Sequence, residues 1–461
     1  MKVERRMEAI RMPGWEPIDQ ILKKEFRQLY EEGLDVRVED ASTYRDTMPV
    51  DRLDMVVDLL RLSKRRHGYP YVEPDDPTAA LTEAKDALKR TKLPSSDAFY
   101  GAVLGRMAGC VLGKPLETGP YFWESTKDHP GWKNVKRWFE GAGSYPIRDY
   151  VPAASDAPGL YVVCPMSQKE RLAFVETDDD VRYTLVALER LERYGFDFTD
   201  RDVGSLWHEL LSYRDVCTAE TQAYLNFAHV TTHLGGDAGP LTEADATYVR
   251  MHMNPYREWI GATIRIDGYA YAAAGDPLRA ASLAAREARF SHVKNGVYAP
   301  MFFAALIASA FVSDDVDACV EQALAVVPKA SRLHEALVRT IVIAKTEPNT
   351  EAMIDKVWER LLDFDPAHAI NNACVCLASI LHGGRDYTKA VGTAALFGLD
   401  TDCNAATVGS FVGALVGASA IPDHWKTPLH DTIRSGIRGY DPIAITEVAR
   451  RFEALYRANV R

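Results

Sequence analysis

Two runs of glycine constrain this chain more than any other feature in it. "GAVLGRMAGCVLG" carries Gly101, Gly105, Gly109 and Gly113, and "VGSFVGALVG" carries Gly409, Gly413 and Gly417. Residues four apart share one face of a helix, so each run presents a groove without side chains. A glycine inside a helix costs roughly 1 kcal/mol relative to alanine. So many of them imply a compensating gain, and close approach of two backbones is what a bare groove offers. Such a crossing also brings the attached ends together. "KPLE", with Glu117, follows the first run, and "DTDCN", with Asp400 and Asp402, opens the second.

Apolar residues at helical spacing recur at 97–113, 180–194, 200–212, 218–229, 276–290, 297–312, 315–326, 330–345, 350–362, 369–382, 386–397, 404–418 and 443–458, which predicts an all-α fold. Alternating patterns are scarce, and "GLYVVCP" (159–165) is the best strand candidate. The segment 118–175, rich in Pro, Gly and aromatics, reads as a long irregular excursion. Residues 1–95 are charge-rich, with amphipathic helices expected in "ILKKEFRQLYEEGLD" and "RLDMVVDLLRLSKRR" and a linker in "GYPYVEPDDP". The expected division is an N-terminal helical extension, 1–95, and a main domain, 96–461.

Composition narrows the setting. With 54 basic against 65 acidic residues the net charge is −11, which argues against nucleic acid and anionic membrane as partners. The start, "MKVERRMEAIRMPGWEP", lacks the apolar core of a secretory signal. The apolar run Val297 to Val312 is short for a membrane span and contains Pro300, so it reads as a buried core helix. Seven scattered cysteines fit free thiols in a reducing compartment, and the expected location is cytoplasmic. The pair Cys374 and Cys376 has no second cluster with which to build a zinc site. The sequence does not specify an oligomeric state.

The third informative stretch is "FVETDDDVRYTLVALERLERYG", Phe174 to Gly195. Thr177 as N-cap with Asp178, Asp179 and Asp180 in the first turn would suit a helix start. Adding Glu176 makes four acids in five residues, more than a cap requires. Adjacent carboxylates with a threonine hydroxyl also form a hard oxygen set for magnesium or a similar cation. Asp400 and Asp402 can aim two carboxylates the same way from a turn. Paired caps and a metal site are both open on these residues alone.

Together, "GAVLGRMAGCVLGKPLE" (101–117), "ETDDDVRYT" (176–184), "SHVKNGVY" (291–298) and "GLDTDCNAATVGSFVGALVG" (398–417) resemble the ADP-ribosylglycohydrolase family, in its order and across most of 97–425. The resemblance implies an all-α orthogonal multi-helix bundle with two Mg2+ ions in a cleft, Mn2+ being an alternative. It implies Thr177, Asp178, Asp179, Asp400, Asp402 and Glu117 as the metal-binding set, with Asp402 bridging. Two positions depart from the family pattern. Cys110 stands where an aspartate is common after Gly109, and Cys403 stands where a threonine or serine usually ligates metal. A thiol is a poor ligand for a hard cation. "DTDCN" is similar to a branch that also carries "NPYREWIGA" (254–262).

That motif reads either as a structural corner, with Trp259 packed and Arg257 paired to an acid, or as substrate contacts from Asn254, Arg257 and Glu258. His292, a structural histidine on the plainer reading, is grouped with Asn295, Gly296 and Tyr298 as bordering the substrate cleft. Tyr298, Trp123, Phe122 and Lys114 are the candidates for holding a base and diphosphate.

The implied activity is hydrolysis of an ADP-ribosyl or related ribosyl N- or O-glycosidic bond, with Glu117 or Asp179 as general base. The substrate is then a small-molecule glycoside or an ADP-ribosylated molecule. The alternatives are a hydrolase of a small glycoside or nucleoside, including one using Glu117 and Glu258 as opposed carboxylates, and a non-catalytic member of the fold.

Overall fold

The structure, a computed structural model, describes residues 14–49, 52–231, 239–361 and 364–459. Residues 1–13 of the expected non-signal N-terminus, 362 of an expected helix and the last two residues of the main domain lie outside them. The described chain is all-α. Among the described residues the only sheet is a pair of two-residue antiparallel strands, β1 (Thr432–Ile433) and β2 (Ile443–Ala444).

The expected helices form. Asn295–Ala310 is buried along its whole length, as the uncharged run from Val297 required, and it contains Pro300. Ser96–Gly113, Ala369–Gly383 and Thr401–Val416 surround the same core. Ser95 caps the first of these by accepting from the Ala98 amide at 3.1 Å.

Two expectations of secondary structure fail. Gly131–Gly141 is a helix within the supposedly irregular 118–175, burying Trp132, Val135, Trp138 and Phe139. Its flanking proline and glycines obscured an apolar stripe at helical spacing. "GLYVVCP" is not a strand, because no neighbouring strand pairs with it; the Val163 amide bonds instead to the Pro115 carbonyl at 3.0 Å.

The two glycine helices run antiparallel and interlock backbone to backbone. A Cβ added at Gly101 would meet Gly413, one at Gly105 would meet Gly409, one at Gly109 would meet Ala405, and one at Gly113 would meet Thr401 and Asp402, each closer than 3.0 Å. Every contact is to main-chain atoms, which no rotamer change relieves. The Thr401 hydroxyl closes the register by donating to the Gly113 carbonyl at 2.9 Å. The C-terminal end of one helix therefore abuts the N-terminal end of the other.

The helix Ile18–Glu31 forms two small apolar clusters of its own, one of which borrows Met253. The N-terminal segment also carries buried acids onto the main body. Glu25 accepts from Arg257 at 2.8 Å, Glu32 pairs with Arg257 at 2.7 Å and with Lys294, and Glu73 pairs with Arg332 at 2.7 Å. The stretch expected as a linker is thus docked, with the Val72 amide bonded to the Ala330 carbonyl at 2.9 Å.

Candidate metal centre

Each carboxylate of the central cluster is aimed by a backbone feature. Glu117 follows a 3-10 turn, Lys114–Leu116, that extends the first glycine helix. Asp178 and Asp179 follow Val175, whose amide and carbonyl bond at 2.9 Å to Thr432 and Arg434 respectively. Asp400 and Asp402 follow two residues in the left-handed region, Gly398 (φ 70°) and Leu399 (φ 63°). For leucine that conformation costs on the order of 1–2 kcal/mol. It is held by the Leu399 amide, which donates to the Tyr121 carbonyl at 3.1 Å.

The helix Asp179–Tyr194 is capped one residue later than the sequence implied. Asp178 is the N-cap, accepting from the Asp180 amide at 3.1 Å. The Thr177 hydroxyl is used elsewhere, donating to the Ser435 carbonyl at 2.6 Å and accepting from Arg182 at 2.9 Å.

The structure brings together the acids that lie almost three hundred residues apart in the chain. Asp402 is their hub. Its carboxylate belongs to one set with Glu117 and Asp400, to a second with Cys110 and Asp178, and to a third with Asp180 and Cys403; within each set the ligand atoms lie within 4.8 Å of one another. Asp178, Asp179 and Asp180 form a fourth such set. Asp180, Asp400 and Asp402 are buried, whereas Glu117 and Asp179 are only half-buried and so open to a ligand.

So many acids at such spacing strain the local electrostatics. Burial pushes Glu117 well up, and repulsion from Asp402 adds to it. Burial likewise raises Asp402 and Asp179, each also repelled by Asp178. Asp400 is pushed up to about 6, chiefly by burial. Only Asp178 is held low: burial opposes this, but Lys114 at 3.3 Å, Arg182 and hydrogen bonds from Asp179 and the Asp180 amide together outweigh it. Asp180 has Arg106 at 2.9 Å, but Arg106 also serves Asp267 at 2.8 Å, and burial still leaves Asp180 raised. Oδ1 of Asp400 is buried without a partner. Oxygen donors that lack cations, with one acceptor orphaned, fit a divalent cation.

Two cations sit at this cluster, and one of them leaves a trace in the sequence. Arg106 is the only charged residue between Ala98 and Gly113, on a helix buried almost throughout. A buried arginine requires carboxylate partners. Lys114 was expected to be free for a phosphate, but its ammonium is taken by Asp178 and the Thr177 carbonyl.

The residues expected to contact substrate lie in a different network. Arg257, Glu258, Asn254, His292 and Asn295 are fully buried. Glu258 accepts from Gln28 at 2.7 Å, from Asn295 at 2.8 Å and from Arg332 at 2.8 Å. Burial would raise the Glu258 carboxyl, but Arg332, His368 and Lys294 together hold the group low. Asn254 donates to the Arg250 and Ser291 carbonyls at 3.0 and 2.9 Å, and His292 shares a hydrogen bond with Ser291 at 2.8 Å. A Cβ at Gly296 would strike the Arg257 carbonyl closer than 3.0 Å, so its lack of a side chain serves packing. The Tyr298 hydroxyl donates to the Pro74 carbonyl. No hydrogen bond among the described residues links Glu258 to Glu117. Trp123, by contrast, is 53% exposed and stacks on Phe122 at 4.0 Å.

The raised carboxyls have a consequence for stability. A group whose pKa is higher in the folded than in the unfolded chain stabilises the fold at low pH, and that contribution is lost as pH rises through the folded value. For Asp400 the window runs from 3.8 to about 6, and Glu117, Asp179, Asp180 and Asp402 extend it upward. Metal-free protein is therefore expected to melt at a lower temperature at about pH 8 than at about pH 6, and excess Mg2+ is expected to remove most of the difference. Thermal melts with and without chelator measure it; a melting temperature rising with pH in chelator would contradict the electrostatics above.

A family model described as ADP-ribosylglycohydrolase matches residues 91–459. A solved structure titled "ADP-ribosylglycohydrolase-related protein complex" is similar at 22% identity with a TM-score of 0.47, over 78% of this chain and 98% of that chain. No curated protein matches the chain.

Proposed function

The chain belongs to the ADP-ribosylglycohydrolase family, and we propose that it is a metal-dependent hydrolase cleaving an ADP-ribosyl or related ribosyl N- or O-glycosidic bond. The observation that carries this reading is the gathering of Glu117, Asp178, Asp179, Asp180, Asp400 and Asp402 at one point, with too few cations to balance them. Residues 96–461 form the catalytic unit in this reading, and 1–95 are appended to it.

Asp402, Asp400, Asp178, Asp179 and Glu117 would hold the cation or cations, Mg2+ being the first candidate, and the Thr177 hydroxyl would join them only by exchanging its present partners. A bound divalent cation supplies Lewis acidity and makes a water acidic enough to attack at neutral pH. Glu117 and Asp179 are the half-buried members, so one accepts the attacking water's proton while the other orients the ribose hydroxyls. The buried Asp400 and Asp402 are shielded from substrate and hold charge.

A second reading, a hydrolase of a small glycoside or nucleoside, draws support from the expected ADP-binding groups. Lys114 is engaged by Asp178 and Tyr298 by Pro74, which leaves Trp123 as the exposed aromatic of that group. Calorimetric titration of ADP-ribose and of ribose into Mg2+-loaded protein separates the two readings. On the first, ADP-ribose binds at least tenfold more tightly than ribose, about 1.4 kcal/mol. Equal affinities move the assignment to the second.

A further inference from the structure

We propose that the metal centre is a mixed thiolate–carboxylate site, in which Cys110 and Cys403 give it a thiophilic divalent cation of the Fe2+, Co2+ or Zn2+ class in addition to, or in place of, Mg2+. The inference rests on the metal-dependent reading above and adds the identity of two ligands and the class of ion.

Both cysteines come from the interlocked glycine helices and both point into the acid cluster. Cys110 Sγ lies within 4.8 Å of ligand oxygens of Asp178 and Asp402, and Cys403 Sγ within 4.8 Å of those of Asp180 and Asp402. The Cys403 thiol donates to Asp180 Oδ2 at 3.0 Å, and its own amide donates to Asp402 Oδ1 at 2.7 Å. Each sulfur thus shares a ligand set with the hub carboxylate, the two coming from opposite helices. A second observation concerns Asp400. Asp400 is 6% exposed, sits with Glu117 and Asp402, and keeps Oδ1 without a partner in an already overcharged site.

Ligand chemistry decides which ion benefits. Sulfur adds little for Mg2+, which prefers near-octahedral oxygen, and much for borderline cations. On coordination each participating cysteine forms a metal–sulfur bond, its S–H breaks and the proton leaves to solvent; nothing is oxidised or reduced. Gly109, beside Cys110, packs directly on the Ala405 backbone, so the helix carrying one sulfur lies close against the helix carrying the other.

Co2+ is the probe, because thiolate ligation produces a near-ultraviolet charge-transfer band that oxygen ligation does not. Full-length protein stripped with chelator and titrated with Co2+ is expected to develop this band with saturation. Cys403→Ser is expected to weaken the band and lower the Co2+ over Mg2+ preference by roughly tenfold or more, and Cys110→Ser with Cys403→Ser is expected to abolish it. Competition of Mg2+ against Co2+ in the unsubstituted protein gives the reference preference and does not depend on any variant folding. Saturable Co2+ binding without the band would overturn the thiolate assignment while leaving the metal-dependent hydrolase intact. A band that survives in the double variant would also overturn it, placing the sulfur elsewhere. Failure to bind any divalent cation would remove both this inference and the reading it rests on.

Discussion

Asp402→Ala abolishes divalent-cation binding while leaving the protein folded, and Asp402→Asn does the same with an added signature: the metal-free variant is more stable than the parent. The first half follows from the hub position, since Asp402 is common to three of the four ligand sets and its removal weakens all three together. Loss of a partner outside the first ring of ligands already costs 10–100-fold in metal affinity, so a shared ligand is expected to cost more than about 100-fold. The second half follows from charge. Asp402 is raised by burial and by Asp178, and it shares a hydrogen bond with Glu117, so in the absence of metal the carboxylate is an unfavourable group in its own site. An amide of the same shape removes the repulsion. Calorimetry of Mg2+ and Co2+ binding, with a melt in chelator, measures both. Unchanged metal affinity in Asp402→Ala would sink the site as described here.

Gly413→Ala destabilises the fold by about 3 kcal/mol or more and reduces metal affinity in whatever folded protein remains. Alanine is favoured over glycine inside a helix by roughly 1 kcal/mol, so local propensity predicts the opposite sign. Tertiary contact outweighs it, because the new methyl group would enter the Gly101 carbonyl closer than 3.0 Å and neither partner is a side chain that can turn away. The helices must separate, and the ends they carry separate with them, drawing Asp402 from Glu117. A control exists in Gly239, where nothing lies within 4 Å of an added Cβ. Denaturant unfolding of the two alanine variants, with Mg2+ titrations of the folded fraction, compares them. A neutral Gly413→Ala would mean that the crossing is looser than described and that the ladder does not position the site.

Much of this was legible in the chain. Helical periodicity located the main elements, and the glycine spacing foretold both the crossing and the meeting of Glu117 with Asp400 and Asp402. The acid run at Glu176–Asp180 pointed to the third component. What escaped notice did so for identifiable reasons. The helix Gly131–Gly141 was hidden by its bounding glycines and proline. Threonine suits an N-cap, which points to Thr177, but Asp178 stands one residue nearer the helix and a Ser435 carbonyl claims the Thr177 hydroxyl. The motif around Arg257 was open between corner and substrate contact, and the deciding partners, Glu25 and Glu32, lie more than two hundred residues upstream.

By itself, then, the sequence determined what depends on neighbours along the chain: which segments are helices, which faces are bare, and which acids cluster locally. Those follow from periodicities of a few residues and from side-chain chemistry that acts at short range. Only the tertiary structure decided how charge is balanced across that frame. It gave Arg106 to Asp180 and Asp267 and Lys114 to Asp178, and it left Asp400 with an unpartnered oxygen beside Glu117 and Asp402. Burial and the proximity of groups distant in sequence set the energy of a charge, and neither quantity exists until the helices have packed.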